Sequence, residues 1–370
     1  MKAKGPRSAR PPAHDLYPQA GTAPDPPRQR RGASSAVLGG DIGGTKTRLA
    51  LFELRGSRLA LIRENHYPSK QFDSLSAIIE TFLASDSPAF ERACFGIAGP
   101  VRNGICETTN LPWKIMARDL SAKLGGKAVS LLNDLEANAY GISELETGDF
   151  AVIQAGNPKA AGNAAVISAG TGLGEAGLYW DGTRHQPFAS EGGHCDFSPV
   201  QEIDLALFQF LSKRHGHVSW ERVLSGMGLV NIHEFLCEYR KLPAPAWFEE
   251  EAKRTGDRGR VVTEAALSGK CSVCAEAIDL LVRFYGAKAG NLALTLMATG
   301  GIYLGGGIAP RIISKLQSPV FLRAFLDKGR LQKILQEIPV KVILNDRTAL
   351  LGAGHYAAFC QGETAAFSLK

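Results

Sequence analysis

The sequence predicts an α/β fold, because strand-like and helix-like segments alternate after residue 35 and because one strand–turn–strand pattern occurs twice. The first set contains the strand-like segments AVLGGDIGG, TRLALFEL, ACFGIAGPV and AVSLLND, with SLSAIIETFLA as an intervening helix. The second set begins at AAVISAGTGLGEAGLYW, which is again a strand, a turn rich in glycine and threonine, and a strand. The repetition of this order predicts a weak internal repeat.

The first glycine-rich turn lies in the segment VLGGDIGGTKTRLALFEL, residues 37–54. Beyond Thr45, apolar and β-branched residues alternate with a period of two, which predicts that the chain continues as a strand. The common nucleotide loops instead run from a strand into a helix. This loop is therefore predicted to be the turn of a hairpin.

Later segments complete the predicted architecture. Helices are expected over 201–240 and 262–298, a strand over 340–344, and a helix in ALLGAGHYAAFCQ near the end. Residues 241–260 contain two prolines and a mixed charge run, which predicts a surface excursion.

Composition and charge exclude several classes of partner. Of the 370 residues 45% are hydrophobic and 21% are charged, which is typical of a globular protein with room for two domains. Residues 1–35 contribute +5 of the net charge of +6, so the remainder is nearly neutral and no nucleic-acid or membrane partner is expected. The same residues hold seven of the 19 prolines, which predicts a disordered basic tail rather than a targeting signal. A cytoplasmic location is the resulting expectation.

The seven cysteines predict reduced thiols, since their number is odd. Cys271 and Cys274 form one CxxC pair on a stretch with helical apolar periodicity. A structural zinc site would need a second pair of ligands at matching spacing, and none is recognised in the sequence. Both cysteines are therefore expected to be small buried side chains without a metal.

Three glycine-rich turns have a composition that suits phosphate binding. They lie at residues 39–46, 169–174 and 305–307, and the last precedes a predicted helix. Glycine lets the backbone approach an anion closely and adopt positive φ, so that several N–H groups can converge on it. Each turn alone could equally be a tight turn, whereas one nucleoside triphosphate could occupy all three.

A family resemblance rests on several of these segments. The three turns, GGDIGGT, AGTGLG and GGG, resemble the phosphate-1, phosphate-2 and adenosine motifs of the actin, sugar kinase and Hsp70 superfamily. Within it, residues 36–357 resemble the bacterial-type glucokinases through LLNDLEANAYGI, SEGGHCDFSP, HVSWERVLSGMGLVNI, GNLALTL and ALLGAGHY. The resemblance implies a two-domain actin-like ATPase (ribonuclease H-like) fold, ATP-dependent phosphorylation of glucose at its 6-hydroxyl, and a homodimer.

The same resemblance implies where the domains lie. A smaller α/β domain is expected from residues 36–144 together with 345–370, and a larger α+β domain from residues 145–344. The active site is expected in the cleft between them, and residues 1–35 would form the tail.

Two polar residues, Asn133 and Asp134, follow an apolar strand in LLNDLEAN, at the kind of strand end where α/β sheets bind ligands. Phosphoryl transfer to an alcohol needs a group that accepts the hydroxyl proton and orients the oxygen, and an aspartate suits both tasks. Asp134 could instead cap the helix that follows, and the two roles are compatible. The resemblance favours the role of general base.

Sugars are bound by several polar side chains that accept and donate hydrogen bonds. The segment SEGGHCDF offers Glu191 and His194 in a compact turn, and SWERVLSG adds Glu221, which alone would be a solvated helix charge. Glu191, His194 and Cys195 also have the ligand types of a metal cluster, although a fourth ligand is not recognised. The resemblance implies a glucose site made of Asn133, Asp134, Gly172, Glu191, His194 and Glu221.

The resemblance also implies ATP and Mg²⁺. Backbone N–H groups of residues 43–45 and 170–172 would hold the phosphates, and Asp41 would hold Mg²⁺ through water. The expected nucleotide-binding residues are Gly39, Gly40, Asp41, Ile42, Gly43, Gly44, Thr45, Gly170, Thr171, Gly305, Gly306 and Gly307.

Two alternative functions stay open. The GGTK turn resembles the neighbouring repressor, open reading frame and kinase group, which contains kinases of other hexoses or amino sugars and sugar-responsive regulators. The cysteine-rich zinc motif usual in that group is not recognised here, and the proline-rich tail cannot form a helix-turn-helix. Asp134 argues against a regulator without turnover, since a pure sensor has no need of a base.

Overall fold

The computed structural model describes residues 36–84, 88–108 and 110–360, so the predicted tail (1–35) and residues 361–370 of the predicted smaller domain lie outside it. The strands are β1 (Ala36–Ile42), β2 (Lys46–Arg55), β3 (Arg58–Pro68), β4 (Phe90–Ile97), β5 (Val101–Arg102), β6 (Ile105–Glu107), β7 (Lys114–Met116), β8 (Ala128–Asn133), β9 (Phe150–Gln154), β10 (Ala164–Ala169), β11 (Leu173–Trp180), β12 (His185–Ser190), β13 (Gly301–Gly305) and β14 (Val340–Ile343). The helices are α1 (Leu75–Leu83), α2 (Ala117–Lys123), α3 (Asp134–Gly141), α4 (Glu202–His215), α5 (Gly226–Tyr239), α6 (Ala246–Thr255), α7 (Arg258–Leu267), α8 (Ser272–Leu296), α9 (Ile313–Leu316), α10 (Pro319–Leu326), α11 (Gln332–Gln336) and α12 (Thr348–His355).

The first five strands of the two large sheets follow the same order, and the second sheet has β9 as a sixth strand. The first has the order β3-β2-β1-β4-β8 and the second the order β12-β11-β10-β13-β14-β9. In the first sheet β1 pairs antiparallel with β2 and parallel with β4, and in the second β10 pairs antiparallel with β11 and parallel with β13. The internal repeat predicted from the sequence is confirmed in this order of strands, and so are both predicted hairpins.

The first hairpin is built on a buried central strand. The turn between β1 and β2 is closed by a hydrogen bond of 3.0 Å from the N–H of Gly43 to the carbonyl of Lys46. Gly39 and Gly40 lie inside β1, where a Cβ on Gly40 would come within 2.5 Å of the Phe95 ring and one on Gly39 within 3.0 Å of the Phe52 ring. Close packing of the sheet therefore requires glycine at these two positions.

Helix α3, which begins at Asp134, is held by close contact with α12. A Cβ on Gly141 would lie 1.9 Å from the carbonyl oxygen of Thr348, and a Cβ on Gly352 would lie 1.7 Å from that of Ala137. Glycines on both helices thus let the two backbones touch. This contact fixes the helix whose first residue is the predicted base.

Helix α8 runs through the largest hydrophobic core. It is 25 residues long, and its fully buried Tyr285 places its hydroxyl 3.1 Å from the carbonyl of Ile167 in β10 and 3.2 Å from that of Gly305 in β13. The helix therefore supports the strand ends from which two of the glycine-rich turns begin. Among the described helices, including this one, none combines the length and apolar character needed to cross a membrane.

One sequence expectation differs from the structure. Residues 241–260 are not a surface excursion, because they form α6 and the start of α7 and bury Phe248 completely in the core. The helix predicted after the third glycine-rich turn is present as a 3₁₀ helix, Ala309–Ile312, followed by the four-residue α9.

Candidate functional site

Asn133 and Asp134 lie together where β8 ends and α3 begins. Asn133 is the N-cap, since its Oδ1 accepts a hydrogen bond of 2.9 Å from the N–H of Leu135 while its Nδ2 donates to the carbonyl of Gly99 at 3.1 Å. Asp134 is the first helical residue, and its Oδ1 also lies 2.9 Å from the N–H of Leu135. Asn133 thus supplies the cap for which Asp134 was a sequence candidate, although Asp134 shares the same donor.

Burial raises the pKa of the Asp134 carboxyl to about 6. The hydrogen bond from Leu135 opposes this rise, whereas the negative charges of Asp41 and Glu191 add to it. Both of these carboxylates therefore lie near enough to Asp134 to affect its pKa. A carboxylate with a pKa close to neutral pH is suited to accept a proton and return it.

Glu191 and His194 lie on either side of a tight 3₁₀ turn, Gly192–His194. Their side chains are largely exposed, and Nε2 of His194 is 3.9 Å from Oε2 of Glu191. The turn packs directly on β11, since a Cβ on Gly193 would lie 2.0 Å from the carbonyl oxygen of Leu173 and one on Gly192 would lie 2.1 Å from Oε2 of Glu175. The two glycines are therefore what allows both polar side chains to project from one short turn.

Glu221 lies on a second short turn, Trp220–Arg222, which is joined to the first. The N–H of Trp220 donates to the carbonyl of Cys195 at 3.0 Å. Oε2 of Glu221 accepts a hydrogen bond of 2.9 Å from the N–H of Leu173, and a Cβ on Gly172 would come within 2.5 Å of the same oxygen. Glycine at 172 therefore makes room for the Glu221 carboxylate.

A cavity of about 410 Å³ brings all six predicted sugar-site residues together. They are Asn133, Asp134, Gly172, Glu191, His194 and Glu221. The first two come from the end of a strand in the first sheet, and the other four come from loops that pack on the second sheet. The volume lies in the range usual for small-molecule sites.

A second cavity, of about 710 Å³, adjoins the first. Gly170 lines both cavities, and Thr171 and Gly307 line only the second. The second and third glycine-rich turns meet here because they leave adjacent parallel strands, β10 and β13. A Cβ on Gly306, whose φ is +80°, would lie 2.2 Å from the carbonyl oxygen of Ala169.

Sequence reasoning missed much of the wall of this second cavity. The additional lining residues come from the start of α5, the α6–α7 junction and the 3₁₀ helix that follows Gly307. They include Gly226, Met227, Asp257, Arg258, Arg260 and Arg311. The N–H of Gly226 donates to the carbonyl of Gly170 at 2.8 Å, so α5 begins directly beside the second glycine-rich turn.

The first hairpin stands apart from both cavities. Gly39, Gly40 and Ile42 are buried in β1, and none of the described residues of the turn, 43–45, lines either cavity. Asp41 lies opposite Arg48, which forms an ion pair of 2.5 Å with Asp346. Burial raises the pKa of Asp41 to about 6, with Arg48 opposing the rise and Asp346 adding to it. A half-buried carboxylate of this kind suits a magnesium ion, whose preferred ligands are oxygens and water.

One buried ion pair beneath the sugar cavity was also missed. Nζ of Lys288 in α8 lies 2.9 Å from Oε1 of Glu175 in β11, and both side chains are almost completely buried. Glu175 is the residue against which Gly192 packs. This pair therefore supports the turn that carries Glu191 and His194, and a single acidic residue in an apolar strand was the only sequence signal for it.

Comparison with known proteins finds relatives along nearly the whole described chain. A family model described as Glucokinase matches residues 38–359. A protein named Glucokinase from Nostoc punctiforme is 41% identical over 337 residues, which cover 87% of this chain and 98% of the relative. The crystal structure of a glucokinase from an Antarctic psychrotroph has a TM-score of 0.77 at 30% identity and covers 88% of this chain and 99% of that one. A ROK family glucokinase from Streptomyces griseus, solved with glucose and AMPPNP, shares the fold at a TM-score of 0.60, 20% identity, and coverage of 88% and 99%.

Proposed function

Because the chain belongs to the glucokinase family, whose members are ATP-dependent glucose kinases, we propose that it phosphorylates the 6-hydroxyl of glucose with Asp134 as general base. The products are glucose 6-phosphate and ADP. The observation that carries this assignment is the junction of the two cavities at Gly170. One cavity has the polar side chains that a sugar needs, and the other has the glycine-rich turns and the room that a nucleotide needs.

In this proposal the sugar lies in the smaller cavity with its 6-hydroxyl towards Asp134. The pKa of about 6 leaves Asp134 ionised at neutral pH, yet more basic than an ordinary aspartate. The hydroxyl proton passes to Asp134 while the hydroxyl oxygen bonds to the γ-phosphorus and ADP leaves. Glu191, His194 and Glu221 would bind the other hydroxyls and so fix the orientation of the ring.

ATP would lie in the larger cavity with its phosphates towards the glycine-rich turns. The N–H of Gly170 donates to the carbonyl of Gly172 and the N–H of Gly43 to that of Lys46, so we assign phosphate binding to the N–H groups of residues 171–172 and 44–45. Asp41 would hold Mg²⁺ through water. When bound there, the ion would supply positive charge that neutralises the negative charge developing on the phosphates.

Domain closure follows from the position of the first hairpin, which lines neither cavity. We propose that residues 36–144 with 345–370 close on residues 145–344 when glucose binds, which would bring the hairpin over the phosphates and expel water. The family resemblance supports a cytoplasmic homodimer as the working assembly.

The proposal is tested by measuring ADP release from MgATP by the purified protein with glucose, mannose, fructose, N-acetylglucosamine or no sugar. We expect strong release with glucose and little without sugar. Asp134→Ala should lower the rate by roughly 10²–10⁴-fold, as is typical for loss of a positioned acid–base group. Glu136→Gln, in the same turn of α3 but outside both cavities, is the matched control and should keep most of the activity.

The other outcomes are equally decisive. Release with another sugar but not with glucose would make the chain a kinase of that hexose or amino sugar. Glucose binding without turnover of any sugar would favour a regulator. Near-full activity of Asp134→Ala would remove the base assignment for every sugar.

A further inference from the structure

Four potential metal ligands from two helices meet in the large core, well away from the residues assigned to catalysis. His233 and Cys237 lie one turn apart on α5, Cys271 is the N-cap of α8, and Cys274 lies in the first turn of α8. The ligand atoms of His233, Cys271 and Cys274 all lie within 4.8 Å of one another, and the three side chains are buried. Sγ of Cys237 is 3.7 Å from Nε2 of His233.

We propose that these four residues form a structural Zn²⁺ site. One imidazole nitrogen and three thiolates are a common tetrahedral ligand set for structural zinc, and the spacings H-x₃-C and C-x₂-C are typical of such sites. Zn–S and Zn–N bonds of about 2.3 and 2.1 Å place neighbouring ligand atoms roughly 3.7 Å apart in a tetrahedron. The ligand atoms of His233, Cys271 and Cys274, which lie within 4.8 Å of one another, require a contraction of about 1 Å to reach this geometry, and Cys237 must move closer to the two cysteines of α8 to complete the set.

The environment of His233 favours a metal over a purely apolar cluster. Its side chain is 1% exposed and stacks on Phe248 with 4.6 Å between ring centroids, yet its Nδ1 has no hydrogen-bond partner among the described residues. Buried polar atoms are normally paired, because leaving one unpaired is costly. Zinc bound to one nitrogen of the His233 ring would account for an imidazole in this apolar setting.

The start of α8 suits a thiolate at Cys271. Sγ of Cys271 accepts a hydrogen bond of 3.2 Å from the N–H of Cys274. A thiolate at the N-terminus of a long helix is stabilised by such donors and by the helix dipole. The sequence expectation of two inert buried cysteines lacked the second pair of ligands, which the packing of α5 against α8 supplies.

A route for the ion and a nearby positive charge are both present. His233 and Cys237 line a surface cavity of about 500 Å³ together with Arg214, Lys241 and Arg258. The guanidinium of Arg258 lies 5.3 Å from the ring of Phe248, on which His233 stacks. Three thiolates and one Zn²⁺ carry a net charge of −1. Arg214 and Arg258 already pair with Glu234 and Glu249, so among the described basic residues of this cavity Lys241 is the one available to balance that charge.

The proposed site would tie together the wall of the larger cavity. Helix α5 begins at Gly226, α7 begins at Arg258, and both residues line that cavity. A metal that joins α5 to α8 would hold α5 in place at its far end. Loss of the metal should therefore lower stability and raise the KM for MgATP more than the KM for glucose.

The test is the metal content of the full chain, purified without an affinity tag from zinc-supplemented medium. We expect about one Zn²⁺ per chain by mass spectrometry, and a Co²⁺-substituted protein with sulfur-to-cobalt charge-transfer bands and tetrahedral d–d bands. Cys274→Ser should lower the zinc content at least about tenfold. Cys195→Ser, which removes an exposed thiol outside the cluster, is the matched control and should keep the metal.

Two results would overturn the site. The first is a folded wild-type protein, judged by circular dichroism, with less than about one tenth of a zinc per chain and no cobalt–sulfur bands. The second is loss of zinc in Cys195→Ser but not in Cys274→Ser, which would place the ion at the turn of Glu191 and His194. If Cys274→Ser does not fold, the cobalt spectrum of the wild type and of Cys237→Ser decides, since loss of one thiolate must weaken the charge-transfer bands. None of these measurements depends on turnover.

Discussion

The hairpins β1–β2 and β10–β11 occupy the same place in two sheets of equal strand order, yet they present different chemistry. The next-to-last pair across the first hairpin is Asp41 with Arg48, and the next-to-last pair across the second is Ser168 with Gly174. The first hairpin therefore carries a half-buried carboxylate beside an ion pair, and the second carries no charge at these positions. The repeated fold supplies two similar turns, and the proposed function assigns the Mg²⁺ site to the first, which carries the carboxylate, and phosphate binding to both.

The two turns also differ in whether they line the cavities. The second turn is held by α5 through Gly170, by Glu221 through Gly172, and by the third glycine-rich turn through Ala169. The first turn is held by Ser69, whose N–H donates to the carbonyl of Thr45 at 3.0 Å and whose hydroxyl donates to that of Gly43 at 2.7 Å, but it lines neither cavity. Under the proposed function, we therefore expect the first hairpin to move towards the second as one body with its domain.

Among the changes that test the difference between the two hairpins, removal of the charge from the first hairpin should have the largest effect. In Asp41→Asn we expect kcat/KM for MgATP to fall by roughly 10–100-fold, since a bond to a charged group contributes about 1.5–3 kcal/mol. The measurement is the initial rate as a function of Mg²⁺ concentration, with the exposed Asp119→Asn in α2 as control. An unchanged Mg²⁺ dependence would show that the ion is held elsewhere and that the two hairpins do not differ in this way.

The pH dependence sharpens the comparison, because the charge of Asp41 contributes to the raised pKa of Asp134. A base must be ionised, so kcat/KM for glucose should fall about tenfold per pH unit well below pH 6. In Asp41→Asn the midpoint of this fall should move to lower pH. A profile that stays flat down to about pH 5 would contradict the assignment of Asp134.

A steric change in the second hairpin should have a smaller, selective effect. In Gly172→Ala the new Cβ would lie 2.5 Å from Oε2 of Glu221 and displace it from the N–H of Leu173. We expect the KM for glucose to rise about tenfold, which corresponds to loss of one charge-assisted hydrogen bond. Gly148→Ala is the control, since a Cβ there meets no atom within 4 Å. An equal rise in both variants would assign the effect to the backbone rather than to the site.

The sequence predicted those parts of the fold and of the site that depend on local residue patterns. A period of two in the residues after the first glycine-rich turn predicted the first hairpin, and a second strand–turn–strand segment predicted the other. Both predictions were confirmed. The fold and the family followed from short segments that keep their spacing and were confirmed by the comparisons. The six sugar-site residues do share one cavity, whereas their roles stay predictions.

Features that depend on packing between distant segments escaped prediction. Pro243 and Pro245 suggested a loop, but they precede α6, and Phe248 is buried because α6 packs over the core. Arg258 reaches the larger cavity only because α7 begins beside α5. The cysteine–histidine cluster joins a pair of residues on α5 to a pair on α8 that begins 34 positions after Cys237, so the CxxC motif alone did not reveal it.

The smallest expected effect is a gain in stability on replacing the base itself. The pKa of Asp134 is about 6 in the folded protein, above that of an ordinary unfolded aspartate, so the favourable contribution of its protonated form is complete below about pH 4 and is lost as the pH rises through 6. An asparagine side chain at this position has nearly the same shape as aspartate and can accept the hydrogen bond from the N–H of Leu135, but it carries no charge that must be buried. In Asp134→Asn we therefore expect the free energy of unfolding to increase by about 1–3 kcal/mol near pH 8 and by little near pH 4, measured by urea unfolding of the ligand-free protein. The control is Asp73→Asn at an exposed position, for which the change in the free energy of unfolding should not depend on pH. If Asp134→Asn is no more stable than the wild type near pH 8, burial of the Asp134 carboxylate at the end of the first sheet does not destabilise the folded protein.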